Sequence, residues 1–213
     1  MTNQDKGMSK LGYAAVLVLF GALGVGAFML QASREPAPLE LEQAIEINPA
    51  RNILWSELIA QDNSVFTPEH IKGKWTFLYM GYRSCPDACP VAMAVLGKTA
   101  NGLSDLKLPT AQQPQFVFMS VDPRRDTPEL MAEYVAFFGE KFLGVTGDSV
   151  QLRAISLQLG AVFYVPEEPE TDNYEVGHSD SIFLMNPEGR LRAILRPPHN
   201  PEMIIRNYQK LVD

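Results

Sequence analysis

The sequence predicts a three-layer α/β domain with a mixed sheet, preceded by one N-terminal transmembrane helix. Three features of the sequence lead to this prediction: a long apolar run near the N-terminus, short apolar segments that alternate with helical patterns, and a closing hairpin followed by a helix. Strands separated by helices are typical of a sheet covered by helices. The chain has 213 residues, of which 46% are hydrophobic and 20% charged. This length and composition allow one core of ordinary size.

The predicted anchor runs from Leu11 to Leu30 and contains no charged residue. At about 1.5 Å per residue, such a helix matches a hydrocarbon core of about 30 Å. A cleaved signal peptide has a shorter apolar region and a small-residue cleavage site, and Gln31-Ala32-Ser33 is a poor one, so an uncleaved anchor is favoured. Lys6 and Lys10 precede the run and Arg34 follows it, which slightly favours a cytoplasmic N-terminus.

The segment after the anchor contains Pro36, Pro38 and Pro49 with several glutamates, which is typical of a linker. The sequence lacks an Arg- and Ser-rich leader, so the expected location is a bacterial inner membrane, with a single pass and the domain on the periplasmic side. The net charge is −7 and no basic patch is present, so a nucleic-acid partner is excluded. The predicted division is a cytoplasmic tail at 1–10, the anchor at 11–30, a linker at 31–49 and the domain at 50–213.

The order of elements in the domain follows from local patterns. Aromatic and β-branched content predicts the strands, and caps such as Thr127-Pro128-Glu129 predict where helices begin. The predicted strands are Ile53–Ile59, Thr76–Met80, Gln115–Val121, Ser181–Met185 and Leu191–Leu195, the last two joined by the turn Asn186–Gly189. The predicted helices are Pro90–Leu103, Thr127–Phe138, a helix that is capped by Asp148 or Ser149 and runs to Leu159, and Pro201–Val212. This order is that of thioredoxin-like folds with an inserted segment.

The cysteines of the chain, Cys85 and Cys89, lie between a predicted buried strand and a helix N-terminus. The partial positive charge of a helix N-terminus stabilises thiolates. Helical residues four apart have Cβ atoms about 5–6 Å apart, wider than a disulfide prefers, whereas two thiolates can share a soft metal. The usual thioredoxin redox motif has two residues between its cysteines and this one has three, which favours metal binding without excluding disulfide exchange. A plain stabilising disulfide is the third alternative, although so small a loop gains little from it.

A metal held by two thiolates needs a further ligand, and the chain has three histidines. His70 lies at the polar start of a short helix and is predicted at the surface, and His199 has no motif around it. His178 precedes the strand Ser181–Met185, and in a thioredoxin-like fold the loop entering that strand lies against the cysteine loop. His178 is therefore the predicted third ligand.

Two thiolates and an imidazole suit Cu(I), with Zn(II) as the chief competitor. Zinc normally takes a fourth ligand, and none is obvious in the sequence. An iron–sulfur cluster generally needs four cysteines and is excluded. Several methionines lie in apolar strands or helices, where core packing is the expected role. They are Met80, Met93, Met119 and Met185.

At this point several blocks of the sequence together resemble the Sco/SenC family. The blocks are Gly81-Tyr82, Cys85-Pro86-Asp87-Ala88-Cys89-Pro90, Val121–Pro128, Gly147-Asp148, His178-Ser179 and Asn186–Gly189. The resemblance covers roughly residues 50–213 and the preceding anchor. Two positions depart from the family pattern: Arg83 stands where threonine is usual, and Met80 where phenylalanine is common. Arg83 is expected to raise the local positive potential beside the site.

The resemblance implies a copper-binding, thioredoxin-like protein that assists assembly of the dinuclear copper centre of cytochrome c oxidase. It implies that Cys85, Cys89 and His178 are the copper ligands, with one copper ion, Cu(I) or Cu(II), per chain. The partner it implies is oxidase subunit II or a related copper acceptor, with other periplasmic copper chaperones or thioredoxin-like reductants as further partners. Asp122 and Arg125 are read as scaffolding or partner docking, and Arg125 is expected to pair with nearby acids.

Three functions follow as hypotheses. The favoured one is a membrane-anchored, non-enzymatic copper chaperone that delivers copper to the oxidase. The alternative is a thiol-disulfide reductase, with Cys85 and Cys89 as redox-active residues, that keeps the cysteines of the oxidase copper site reduced. A peroxide-reducing or redox-signalling protein is a third hypothesis, for which the sequence offers no strong signal.

Overall fold

The computed structural model of the chain describes residues 39–167, 171 and 173–212. The predicted cytoplasmic tail and transmembrane anchor, and the first part of the predicted linker, lie outside the described residues. Within the described ranges, no helix combines the length and apolar character needed to cross a membrane.

Ten strands and four α-helices are found in the described part of the chain. The strands are β1 (Ala44–Arg51), β2 (Leu58–Ala60), β3 (Val65–Phe66), β4 (Thr76–Gly81), β5 (Gln115–Ser120), β6 (Phe142–Thr146), β7 (Phe163–Tyr164), β8 (Gly177–His178), β9 (Ile182–Met185) and β10 (Leu191–Leu195). The helices are α1 (Ala88–Asp105), α2 (Pro128–Ala136), α3 (Ser149–Leu159) and α4 (Pro201–Val212). Two short 3₁₀ helices, Pro68–His70 and Thr110–Gln112, lie between them.

The main sheet has eight strands in the order β1-β10-β9-β4-β5-β6-β2-β3. Strands β4, β5 and β6 are parallel to one another, and the other neighbouring pairs are antiparallel. The predicted mixed sheet is therefore confirmed. A separate two-stranded sheet pairs β7 with β8, with Phe163 opposite His178.

The helices α1, α2 and α4 share one face of the sheet. Phe77 of β4 packs against Tyr208 of α4, and Phe118 of β5 packs against Tyr134 of α2. Because side chains alternate along a strand and Phe77 lies opposite Phe116, these contacts are on the same face. Helix α1 packs beside α4 on that face. The strand residues that point to the opposite face are also buried: Leu78, Met80, Val117, Met119 and Val145. The sheet is therefore the middle layer of the domain.

The predicted helices are confirmed, with α4 found at the predicted bounds and α3 capped by Asp148. The predicted methionine packing is also confirmed, because all four are at most 1% exposed: Met80, Met93, Met119 and Met185. These methionines fill the core on both sides of the sheet.

Two predictions at the start of the domain are wrong. No strand covers Ile53–Ile59, since β2 begins only at Leu58, and Leu54 in the intended strand is 72% exposed. Residues 44–49 of the predicted linker belong to β1, which pairs with β10 at the edge of the sheet. Pro49 indicated a linker, but an edge strand with an irregular register tolerates proline.

Strand β6 was not predicted from the sequence. It contains Gly144, and a glycine weakens the strand pattern. The structure explains the glycine: a Cβ at this position would lie 3.1 Å from the Cβ of Met131. The glycine thus lets α2 pack closely on the sheet.

The N-cap of α3 is expected to contribute measurably to stability. The Asp148 carboxylate accepts hydrogen bonds from the backbone N–H groups of Val150 and Gln151, both at 2.9 Å. Asp148→Ala is predicted to lower the free energy of unfolding by about 1 kcal/mol because it leaves these donors without the cap. Urea unfolding followed by circular dichroism measures this change. Asp87→Ala is the matched control, since Asp87 is the N-cap of α1 and its side chain accepts no capping hydrogen bond; equal losses in the two variants would contradict the prediction.

Candidate metal centre

The two cysteines occupy different positions around the N-terminus of α1. Cys89 is the second residue of the helix and is fully buried, whereas Cys85 lies in the preceding turn and is partly exposed. The helical spacing expected of the pair from the sequence therefore does not hold, because Cys85 precedes the helix. Its sulfur nevertheless reaches the helix start, because the backbone N–H of Cys89 donates to the Cys85 Sγ at 3.5 Å. Both cysteines are free thiols.

The two thiols have different acidities because their surroundings differ. Partial burial raises the pKa of the Cys85 thiol, but hydrogen bonds from the backbone N–H groups of Cys89 and Asp87 outweigh it, so that this pKa lies below its usual value. Burial raises the pKa of the Cys89 thiol far above its usual range, and the neighbouring charge of Cys85 raises it further. The pair therefore combines one sulfur that ionises more readily than an ordinary thiol with one that ionises less readily.

His178 completes the group, as the sequence predicts. Its Nε2 lies 3.2 Å from the Cys89 Sγ. Its Nδ1 lies 3.2 Å from the Ser179 carbonyl oxygen, which can only accept a hydrogen bond, so Nδ1 carries the proton and Nε2 presents its lone pair to the sulfurs. The ligand atoms of Cys85, Cys89 and His178 all lie within 4.8 Å of one another. The residues singled out from the sequence are thus brought together, from a turn, a helix and a strand.

Two tyrosines form the inner wall of this group. The rings of Tyr79 and Tyr82 lie edge-on to His178, with centroid distances of 6.1 and 5.8 Å. The Tyr79 hydroxyl donates to Asp180 Oδ1 at 2.7 Å. Sequence reasoning did not assign these residues a role. The sequence does contain a signal for Tyr79: strand alternation places it on the same face as Gly81, the residue at the end of β4 that leads into the cysteine loop.

Gly81 lies directly beneath the Cys89 sulfur. A Cβ at this position would lie 2.6 Å from the Cys89 Sγ and 3.2 Å from the Phe118 ring. Both distances are shorter than van der Waals contact, so the last residue of β4 has room only for a hydrogen atom. The glycine therefore allows the buried sulfur to sit against the end of the sheet.

A segment that follows β5, residues 122–126, connects to both sides of the site. The fully buried Asp122 accepts hydrogen bonds from Arg125 Nε at 2.5 Å and from the Tyr174 hydroxyl at 2.7 Å. The expected pairing of Arg125 with a nearby acid is confirmed. Asp126, also buried, accepts from the Ser120 hydroxyl at 2.6 Å and from the backbone N–H of Arg83 at 2.9 Å. Burial raises the pKa of the Asp126 carboxyl above its usual value.

The other two histidines lie away from the metal-binding group. His70 is exposed, as predicted, and bonds locally with Thr67 while stacking on Phe66. The His199 side chain is almost fully buried, with Nε2 2.7 Å from the carbonyl oxygen of Asp180. His199 thus supports the loop after His178 through its contact with the Asp180 backbone.

The chain is similar to known proteins in sequence and in fold. A family model described as SCO1/SenC matches residues 55–213. A Stutzerimonas stutzeri protein, provisionally named a copper-binding protein, is 34% identical over 157 residues, which are 74% of this chain and 75% of that protein. The mitochondrial SCO1 homolog 1 of Arabidopsis thaliana is 33% identical over 160 residues, which cover 72% of this chain but only 47% of that protein.

Two solved structures with copper bound share the fold. Arabidopsis thaliana ScoI has a TM-score of 0.68 at 29% identity, covering 75% of this chain and 97% of that one. Yeast Sco1 has a TM-score of 0.69 at 27% identity, covering 76% of this chain and 88% of that one. The predicted thioredoxin-like α/β domain is confirmed by this similarity.

The contact between Gly81 and the buried sulfur leads to a prediction for the fold. Gly81→Ala is expected to lower the free energy of unfolding by about 1–3 kcal/mol because the added methyl group overpacks a rigid region. Chemical denaturation of the reduced protein measures the loss. Gly177→Ala serves as the control, because its nearest neighbour, the Tyr164 Cβ, would be 3.9 Å away, and it should stay within about 0.5 kcal/mol of the unsubstituted chain. A Gly81→Ala protein as stable as the control would show that the close packing is not required.

Proposed function

The chain belongs to the SCO1/SenC family, and we propose that it is a copper chaperone that binds one copper ion through Cys85, Cys89 and His178. The observation that carries the proposal is the convergence of two sulfurs and one imidazole nitrogen, all within 4.8 Å of one another. Copper is the cargo of this protein, taken up and then passed to an acceptor.

The chemistry of the donor set supports copper over other metals. Thiolates and imidazole are the ligands that Cu(I) prefers, and Cu(I) accepts low coordination numbers. Structural zinc sites are almost always four-coordinate. Among the described residues, no further His, Cys, Asp or Glu joins the group. Three ligands of this type therefore favour copper, and the copper-bound relatives agree with that choice.

The orientation of His178 supports its role as a ligand. Metal-binding histidines almost always donate their second N–H to a fixed acceptor, which sets the tautomer and the ring orientation. The Ser179 carbonyl provides that acceptor for Nδ1, and the Tyr79 and Tyr82 rings, both nearly perpendicular to the imidazole, pack against it. The ring is therefore oriented before any metal arrives.

The destination of the copper is inferred from the family. A solved relative is described as a member of the Sco family of cytochrome c oxidase assembly proteins. The proposed acceptor is subunit II of the oxidase, at its dinuclear copper site, or a related copper protein. The apolar segment 11–30 would hold the domain at the periplasmic face of a bacterial inner membrane, close to a membrane-bound acceptor.

The three ligands give a direct test of copper binding. Anaerobic titration of the full chain in detergent, with a chromophoric Cu(I) chelator as competitor, should show one Cu(I) per chain. Cys85→Ser and Cys89→Ser are expected to abolish this tight site because a hydroxyl is a hard, weak donor for Cu(I). His178→Ala should weaken it by at least about tenfold, because the Cu(I) loses one of its three ligands, whereas His70→Ala, which removes an exposed histidine, should leave it unchanged. Tight stoichiometric copper that survives either cysteine substitution would exclude the proposed site.

A second function is favoured by the unequal exposure of the two sulfurs. Cys85 is accessible at the surface and Cys89 is buried behind it, as in proteins where one thiol attacks and the other resolves. The Cys85 thiolate would attack a partner disulfide and expel one partner thiolate, forming a mixed disulfide. The Cys89 sulfur would then attack the Cys85 sulfur and lose its proton to the departing second partner thiolate, leaving a Cys85–Cys89 disulfide and a reduced partner dithiol. A thioredoxin-like dithiol would return the two electrons.

Trapping experiments separate the redox function from copper binding. Oxidised glutathione at neutral pH should leave a stable glutathione adduct on Cys85 in the Cys89→Ser variant, because the resolving thiol is absent. Intact-protein mass spectrometry detects the adduct. His178→Ala should form the internal disulfide at a rate within about twofold of the unsubstituted chain, since thiol–disulfide exchange uses no imidazole ligand. An adduct that forms equally on Cys89 in the Cys85→Ser variant would contradict the assigned order of attack.

A further inference from the structure

We propose that Arg125 is the positioning residue of the third metal ligand: together with Asp122, it holds the loop that carries His178 against the cysteine loop. This inference rests on the proposed copper site. It concerns a residue outside the ligand set, which acts through its neighbours. Arg125 lies within the sequence block Val121–Pro128, and its contacts give it this role.

On the histidine side, Arg125 and Asp122 together hold Tyr174. The Arg125 guanidinium lies 3.6 Å from the centroid of the Tyr174 ring, and its Nη1 donates to the Tyr174 carbonyl oxygen at 2.9 Å. The Tyr174 hydroxyl donates to Asp122 Oδ1 at 2.7 Å. Backbone, ring and hydroxyl of one tyrosine are therefore fixed at once. Tyr174 lies four residues before His178, with the buried Val176 between them, so a shift of Tyr174 would reach the ligand.

On the cysteine side, the same segment holds the residues that precede Cys85. The Arg125 guanidinium lies 5.6 Å from the centroid of the Tyr82 ring, whose edge contacts His178. The Tyr82 carbonyl oxygen accepts the N–H of Cys85 at 3.2 Å. Asp126, next to Arg125, accepts the backbone N–H of Arg83. Both loops are thus tied to one short segment, which sets the distance between the sulfurs and the imidazole.

The shape of the arginine side chain suits this task. Its planar guanidinium stacks on an aromatic ring while donating hydrogen bonds in its own plane, which the single ammonium group of lysine does not reproduce. The ion pair with Asp122 is shielded, because the side chain of Arg125 is 14% exposed and that of Asp122 is 0% exposed. A shielded pair with several directional bonds has one preferred geometry, which makes it suited to positioning a neighbour.

A purely structural role for Arg125 predicts a different result from a positioning role. If Arg125 acts on copper through His178, its replacement should weaken copper binding only while His178 is present. If it supports the fold in general, copper binding should weaken equally with and without His178. A double-mutant cycle between Arg125 and His178 distinguishes the two cases.

The experiment measures copper affinity in four full-length proteins: unsubstituted, Arg125→Gln, His178→Ala and the double variant. Arg125→Gln is expected to weaken copper binding by about tenfold, as is usual when a residue that orients a ligand is lost. In the His178→Ala background the same substitution should change the affinity by less than about twofold. The Cu(II) absorption and electron paramagnetic resonance spectra of Arg125→Gln should shift towards those of His178→Ala, since the imidazole is no longer held in place.

Controls cover a failure to fold and a failure of the copper site itself. Arg206→Gln removes an arginine on α4 that pairs with the exposed Glu42, and it should leave copper affinity and spectra unchanged. Tyr174→Phe replaces Arg125→Gln in the test if that variant does not fold. It keeps the stacked ring and removes only the hydroxyl bond to Asp122, so it should weaken copper binding in the same direction but by a smaller factor. Equal losses in both His178 backgrounds, or no loss in either, would overturn the inference. An unsubstituted chain that binds no copper would instead overturn the proposed function.

Discussion

The site depends on the parallel pairing of β4 and β5, which brings the carboxyl ends of two central strands to the same edge of the sheet. Gly81 at the end of β4 lies opposite Ser120 at the end of β5. The cysteine loop and the segment 122–126 therefore leave the sheet side by side. Strand β9 pairs with β4 from the other side in the antiparallel direction, so its entering loop, with His178, arrives at the same edge. Backbone hydrogen bonding thus decides which loops can meet.

Buried carboxylates then hold these loops in place. Asp122 and Asp126 are both fully buried, and burying a charge is costly unless it is paired and hydrogen-bonded. Each carboxylate accepts hydrogen bonds from two different parts of the chain. A hydrophobic pair could stabilise the fold equally well, but it would not fix directions. The chain therefore uses polar contacts where geometry matters and apolar packing elsewhere, as with the buried methionines of the sheet.

The sequence alone predicted the features that depend on local chemistry. Asp148 caps a helix wherever it stands before one, and an apolar aromatic run such as Thr76–Met80 is a strand in almost any context. The cysteine motif and His178 were also identified, the latter through the order of elements. The features that were missed depend on distant partners. Strand β1 forms by pairing with the free edge of β10, and Tyr174 is held by its hydrogen bond to Asp122, 52 residues earlier in the chain. Neither relation leaves a pattern within a short stretch of sequence.

The unequal surroundings of the two sulfurs connect the two proposed functions. Cargo that must be handed on needs a ligand that an acceptor can replace first, and the partly exposed Cys85 meets that requirement, while Cys89 and His178 would hold the ion on the buried side. Disulfide exchange makes the same demand, because an accessible thiolate attacks first and a buried thiol resolves the mixed disulfide. One arrangement of sulfurs therefore serves both reactions. The imidazole distinguishes the two reactions, because thiol–disulfide exchange needs no imidazole ligand, whereas a three-ligand copper site needs one. The hydrogen bonds and ring contacts that orient His178 are consequently the strongest structural argument that metal binding shaped this site.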